Sequence, residues 1–282
     1  MNIKDSSYET ISPTALITSY PRTFTDIPYE KDIFKYLKEH CDCKTINFNK
    51  ELAPEIEARF KLINKLLDKS KIKQVVELAC GYSSRGLIYS NKDYNYIEVD
   101  LNKVINTKTN LITSLYGHIK DNHKILKCNV LKKEDFIQID NYLNKKEPVC
   151  VINEGLLRYL NFDEKKLVAQ NIYNLLSIHG GIWITSDVTP KKFITSQNKA
   201  ISNLNNNLTK ITSRNNTDNR FEDINHVKDF FKELGFELLE VHKFSEVKES
   251  LYSVNNLNII NNNINQTLED AIVVIMAIKK EK

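Results

Sequence analysis

Val75–Leu87 reads VVELACGYSSRGL. Four residues in sequence, Val75, Val76, Glu77 and Leu78, suit a short strand buried on both faces, and the small residues after them suit a tight turn into a helix. A strand that ends in such a turn is where many α/β folds meet a nucleotide-like ligand. The turn is not a phosphate loop. Gly81 and Gly86 have the required spacing, but Leu87 stands where a lysine would meet the phosphates. It is not a dinucleotide loop either, because ACGYSSRG lacks the G-x-G-x-x-G pattern that brings backbone close to a pyrophosphate.

Working outward, the same kind of apolar run recurs as YNYIEVDL, HKILKCNV, PVCVINEG and GGIWITSDV, with helix-capable segments between. Alternation of this kind predicts a mostly parallel, doubly wound α/β sheet, and a seven-stranded one once the two last runs, FELLEVHKF and AIVVIMAIKK, are added. Those two late runs are expected to pair antiparallel at the sheet edge. FDEKKLVAQNIYNLLSIHGG is the clearest helix, with Leu167, Ile172, Leu175 and Leu176 as its apolar face, Asp163 as its cap and Gly180-Gly181 as its end. Before the first strand the period is helical: YEKDIFKYLKEH, and then APEIEARFKLINKLLDKS with Ile56, Phe60, Ile63 and Leu67 on one face. The expected organisation is one domain over residues 1–282: a helical extension over 1–70, a ligand-binding core over 71–188, an Asn-rich insertion over 189–225 that is either a surface loop or a lid over the acceptor site, and closing strands over 226–282.

The totals narrow the class. The chain has 282 residues, 41% of them hydrophobic, which is enough for a buried core. A net charge of +4 spread over many charges of both signs makes no nucleic-acid-binding field. No apolar run has membrane-spanning length, and the N-terminus has no secretory pattern. Five cysteines, an odd number, fit a reduced, cytoplasmic setting, and Cys41-x-Cys43 lacks the second pair of ligands a zinc site needs.

Carboxylates recur where the strands end. Glu77 lies at the first strand–loop junction, Asp100 ends the second run, and Glu154 ends the fourth. A parallel sheet gathers these ends on one edge, where ligands bind. A ligand that meets several carboxylates there is cationic and rich in hydroxyls rather than phosphorylated. S-adenosylmethionine has that chemistry: a sulfonium, an ammonium and a ribose diol. Its own carboxylate needs one cation, for which Arg59 and Arg22 are candidates.

These residues also carry a family resemblance. SPTALITSYPRTFTDIPYEKDIF, EARFKLI, VVELACGYSSRGL, YIEVDLNKVINTK and VINEGLLRYL, in that order, resemble the leucine carboxyl methyltransferase-like class I methyltransferases, a group that includes carboxyl O-methyltransferases of polyketide biosynthesis. The resemblance implies that Arg59 binds the cofactor carboxylate, Gly81 lies against its methionine portion, Asp100 holds the ribose and Glu154 sits near its amino end. At the adenine the family has Asp-Leu, whereas this chain has Asn129-Val130. An asparagine oxygen still accepts from the adenine amino group and a backbone amide still donates to the ring. The N-terminal segment contributes to the family's site, with Tyr20 and Arg22 as candidates here.

The expected activity is S-adenosylmethionine-dependent O-methylation of a small molecule. The six histidines are scattered and none sits in a motif. This favours a carboxylate acceptor, which is ionised already, over a hydroxyl that needs a base. Arg158, four residues after Glu154, is the candidate to orient an acidic acceptor, or else pairs back to Glu154 on a helix face. The alternatives are methylation of a protein C-terminus and a non-catalytic cofactor-binding module. NEGLLR lacks the prolines of adenine amino methyltransferases, and the missing glycine pattern counts against an NAD enzyme.

Overall fold

The computed structural model describes residues 12–42, 48–191, 219–258 and 262–279. Most of the insertion expected to form a lid, residues 192–218, lies outside the described residues, as does Cys43.

Seven strands form one sheet in the order β3-β2-β1-β4-β5-β7-β6. They are β1 (Gln74–Leu78), β2 (Asn95–Asp100), β3 (His123–Lys127), β4 (Val149–Asn153), β5 (Gly181–Thr185), β6 (Phe236–Lys243) and β7 (Ile272–Ile278). The first five pair in parallel, while β7 runs antiparallel between β5 and β6. This is the Rossmann-like arrangement of class I methyltransferases. The chain winds from β1 out to β3 and then crosses back to β4, so β1 and β4 flank the switch point where α/β sheets open a crevice.

The helices are α1 (Ser12–Arg22), α2 (Glu30–His40), α3 (Ala53–Ser70), α4 (Arg85–Ser90), α5 (Asn102–Tyr116), α6 (Lys133–Ile137), α7 (Phe162–His179) and α8 (Ile224–Glu233), with two more, α9 (Tyr252–Asn256) and α10 (Asn262–Asp270), between β6 and β7. Strand alternation divides the core. Val76 and Leu78 face a layer built from α7 and α8, with Val168, Ile172, Leu176, Val227 and Phe231. Val75 faces the other side, against Leu62, Ile63, Leu66 and Leu67 of α3. Glu77 therefore points to the α3 side, where it is 1% exposed. A third cluster joins α1, α2 and α5 through Leu16, Ile33, Leu37, Val104 and Leu111, and so packs the N-terminal helices beside the sheet edge.

Helix α7 departs from expectation in two details. Its cap is Asn161, which forms a reciprocal capping box with Glu164, and not Asp163. Leu167 is exposed, and the buried face runs instead through Val168, Ile172, Leu175 and Leu176. No helix among the described residues is long and apolar enough to cross a membrane.

Candidate active site

The quoted loop fixes the site. After β1 the backbone turns through two left-handed residues, Ala79 (φ 51°) and Gly81 (φ 52°). Gly81 takes this conformation freely, while Ala79 is one of the few non-glycine residues held there. The turn is tied from outside: Asp100 Oδ2 accepts from the Gly81 amide at 2.8 Å, and its Oδ1 accepts from the Leu101 amide at 2.7 Å. Burial raises the pKa of Asp100, and these two amides oppose the rise. Gly86 serves packing, since a Cβ there would lie 2.5 Å from Glu98 and from His123.

Two lobes open along the ends of β1, β2 and β4. The polar lobe, about 900 Å³ open to solvent, is walled by Arg22, Arg59, Gly81, Asp100, Glu154 and Arg158, among others. The second lobe, about 520 Å³, is lined by Cys128, Asn129, Val130, Leu131, Leu156 and Leu160 and is mostly apolar. Ala79, Asp100, Leu101, Gly155 and Tyr159 border both, so the lobes form one cleft.

Glu154 is the electrostatic centre of the polar lobe. Its Oε1 accepts from Arg59 Nε at 3.0 Å and from Arg22 Nη2 at 3.2 Å. Its Oε2 accepts from Arg85 Nη2 at 2.6 Å. Burial would raise its pKa, but Arg59, Arg85 and Arg22 outweigh burial and hold it well below the usual carboxylate range. Donors remain to spare: among the described residues, Arg22 Nε and Arg158 Nε are buried without a hydrogen-bond partner. Arg158 does not pair back to Glu154. Its Nε faces Asp187 Oδ1 at 3.7 Å, beyond hydrogen-bond reach.

The sequence-predicted residues do not all meet at the cleft. Arg22, Arg59, Gly81, Asp100, Glu154 and Arg158 line the polar lobe, and Asn129 and Val130 line the apolar one. The Asn129 Oδ1 already accepts from the Leu131 amide at 3.1 Å, and the Val130 carbonyl accepts from Asn171. Glu77 is not on the cleft wall. It lies beneath the loop, paired with Arg85, and accepts from the Tyr96 hydroxyl at 2.9 Å. Tyr20, expected at the acceptor, instead packs among the rings of Phe24, Phe34 and Phe48.

Two residues were missed. Arg85 joins Glu77 to Glu154 and sits inside the quoted loop, where a lone arginine among small residues was the available signal. Asp187 follows β5 and accepts from the amides of Gly155, Leu156 and Leu157 and from Asn153 Nδ2, so it shapes the turn that presents Glu154. It is a carboxylate just past a strand end, and the rule that selected Glu77, Asp100 and Glu154 reaches it when extended to β5.

The family model described as leucine carboxyl methyltransferase matches residues 24–173, more than half of the chain. The chain belongs to the leucine carboxyl methyltransferase family. No curated protein matches it in sequence. Among solved structures it is similar to a DUF574 family protein from Streptomyces avermitilis (TM-score 0.59, 12% identity, 95% of this chain and 97% of that one). It is also similar to geranyl diphosphate C-methyltransferase from Streptomyces coelicolor (TM-score 0.51, 11% identity, 91% and 99%). A third is magnesium protoporphyrin IX methyltransferase from Synechocystis, solved with bound SAH (TM-score 0.50, 11% identity, 88% and 94%). At these identities the likeness shows the fold.

The cofactor of this methyltransferase family is S-adenosylmethionine, and the cleft of this member fits it. The polar lobe offers an unpartnered, buried Arg22 Nε to an amino-acid carboxylate. Asp100 borders both lobes, and the apolar lobe suits a purine.

Proposed function

We propose that this protein is an S-adenosylmethionine-dependent O-methyltransferase whose acceptor is the carboxylate of a small molecule. The observation that carries this reading is Arg158. It lines the cleft, its side chain is 27% exposed, and its Nε has no hydrogen-bond partner. A guanidinium so placed favours an anionic acceptor.

The bound cofactor supplies a methyl carbon made electrophilic by its sulfonium. The chain's own residues bind and align. Arg59 and Arg22 take the cofactor carboxylate, Glu154 attracts its ammonium, Asp100 accepts from the ribose hydroxyls, and Asn129 and Val130 flank the adenine. Arg158 would hold the acceptor carboxylate in the same cleft, beside the cofactor. Alignment of this kind supplies roughly 7–11 kcal/mol of the barrier. An ionised carboxylate gives up no proton, and none of the described residues lining the cleft is a histidine.

A second reading is a hydroxyl acceptor, because Glu55 also lines the cleft from the first turn of α3 and would take the hydroxyl proton. A panel of small carboxylic acids and phenols, incubated with the protein and S-adenosylmethionine and followed by mass spectrometry, separates the two. Alkali-labile methyl esters support a carboxylate acceptor, and alkali-stable ethers overturn it. With an active acid in hand, Arg158→Met is expected to raise KM about tenfold or more, the loss of one charge-assisted contact, while SAH binding stays as in the wild type.

A further inference from the structure

Arg85 is a buried cation held on several sides, and it does not line the cleft. Its side chain is fully buried. It pairs with Glu77, reaches Glu154 Oε2 at 2.6 Å and donates from Nε to Asn64 Oδ1 at 2.8 Å. Its guanidinium lies over the Phe60 ring, 4.4 Å from the centroid. Each of its three nitrogens donates to a protein acceptor, and the buried side chain does not reach the cleft wall. It does have one strong effect on a residue that faces the ligand.

That residue is Glu154. Arg85 occupies Oε2 from behind, so Oε1 alone meets the groups at the cleft, Arg22 and Arg59. A carboxylate gripped on one oxygen keeps one rotamer and presents one oxygen. We propose that Arg85 is a positioning residue that acts through Glu154: by holding one carboxylate oxygen it fixes which oxygen faces the cofactor amino end. The inference rests on the reading of the cleft as the S-adenosylmethionine site.

Glu154 is faced by Arg22 from α1, Arg59 from α3, Arg85 from α4, Arg158 from the turn after β4, and the carboxylate of Glu77 from β1. Glu77 is the one like charge in this set, and Arg85 lies between the two acids. Loss of Arg85 removes a cation from both acids and leaves two buried carboxylates sharing one site, with Arg22 and Arg59 still on Glu154. The pair then takes up a proton more readily, and a Glu154 that is neutral or no longer held on one oxygen attracts an ammonium less well.

The test is SAH titration by calorimetry from about pH 8 to pH 5, with thermal melts beside it, on the wild type, Arg85→Gln and Arg85→Lys. The wild type is expected to bind with little change across this range, because three arginines hold Glu154 ionised. Arg85→Gln is expected to bind about tenfold more weakly at pH 7 and to weaken further as pH falls. Arg85→Lys restores the charge but not the fork. It is expected to regain the flat profile while binding stays weaker than in the wild type. A residue with a purely structural role would lower the melting temperature without giving Arg85→Gln an acid limb that Arg85→Lys lacks. If Arg85→Gln does not fold, Arg85→Lys carries the test, and wild-type affinity in that variant overturns the proposal. A folded Arg85→Gln protein with wild-type affinity and a flat profile also overturns it. Failure of the wild type to bind SAH is a different result, and it overturns the reading of the cleft itself.

Discussion

Two buried ionic clusters flank the Cys80–Arg85 loop, and they are built to opposite rules. On one side Glu98 is fully buried and matched: Lys108 Nζ reaches its Oε1 at 2.6 Å, His123 Nε2 meets its Oε2 at 2.8 Å, and Lys108 also donates to the Ser83 carbonyl at 2.9 Å. On the other side Glu154 and Glu77 meet Arg22, Arg59 and Arg85, and the Arg22 Nε lacks a partner. The first cluster is closed, with its donors and acceptors in balance. The second opens to the cleft: Arg22 also faces the buried Glu30 at 3.9 Å, so three arginines meet three carboxylates, and what is left over is a guanidinium N–H rather than net charge. A buried donor without a partner costs free energy unless something arrives to use it. The closed cluster reads as scaffold and the open one as a site.

This difference predicts where mutation is felt. Lys108→Met should have the largest effect, because it leaves Glu98 buried with His123 alone. The expected cost is about 3–5 kcal/mol of folding free energy, the penalty for an uncompensated buried charge. Urea unfolding measures it, and a loss under about 1 kcal/mol would mean that the cluster is not the matched unit described. Gly86→Ala attacks the same cluster sterically. Its new Cβ would lie 2.5 Å from the Glu98 and His123 side chains. Overpacking of this kind costs about 1–3 kcal/mol. The same unfolding experiment on Gly86→Ala should show a lower midpoint with an unchanged slope.

In the open cluster the order of effects is expected to reverse. Arg59→Met removes one of three cations from Glu154, and Arg22 and Arg85 remain. Stability should fall by no more than about 1 kcal/mol, whereas SAH affinity should fall about tenfold or more. Calorimetry and urea unfolding on the same preparation test both halves. A large stability loss with intact binding would make Arg59 scaffold and erase the distinction between the clusters.

The sequence carried the strand order's logic more fully than the site's. Short Val-rich runs separated by helical periods were enough for the sheet, because buried parallel strands and amphipathic helices leave different periods. The strand-end rule placed Asp100 and Glu154 on the cleft for the same reason: topology alone brings those ends together. The rule failed for Glu77, which stands one residue before the end of β1 and so points under the loop rather than out of it. A period-two strand makes that a one-residue matter. Arg85 and Asp187 were not read as partners because their contacts span 69 positions to Glu154 and 32 to Gly155, and no local pattern encodes such a pairing. Leu167 shows the converse limit, since it has the apolar character of a core residue and sits on the solvent side of α7.

A third buried cation sharpens the comparison with the smallest expected effect. Lys165 on α7 is 1% exposed, like Lys108 at 2%, yet among the described residues no carboxylate is in contact with it. Its Nζ donates to the Leu160 and Asn219 carbonyls and lies over the Phe162 ring, 4.8 Å from its centroid. Burial pushes its pKa from 10.5 down to about 8, with Asp187 and Glu164 opposing only in part. For Lys108, burial works in the same direction, but its anionic neighbours, Glu98 in contact among them, outweigh it and raise the pKa. The sign of the consequence follows from proton counting. Between about 8 and 10.5 the unfolded chain holds a proton at Lys165 that the folded chain has released, so stability contributed here rises with pH across that window. Below about pH 8 both states are protonated and the cost of burying the charge is fully present. Other lysines, tyrosines and cysteines titrate in the same range, so the quantity to measure is the difference in urea-unfolding free energy between the wild type and Lys165→Met. That difference should shift in favour of the wild type from pH 8 to pH 10. A difference independent of pH would mean that the two carbonyls and the ring hold the ammonium as firmly as Glu98 holds Lys108, and that a carboxylate is not what separates the two.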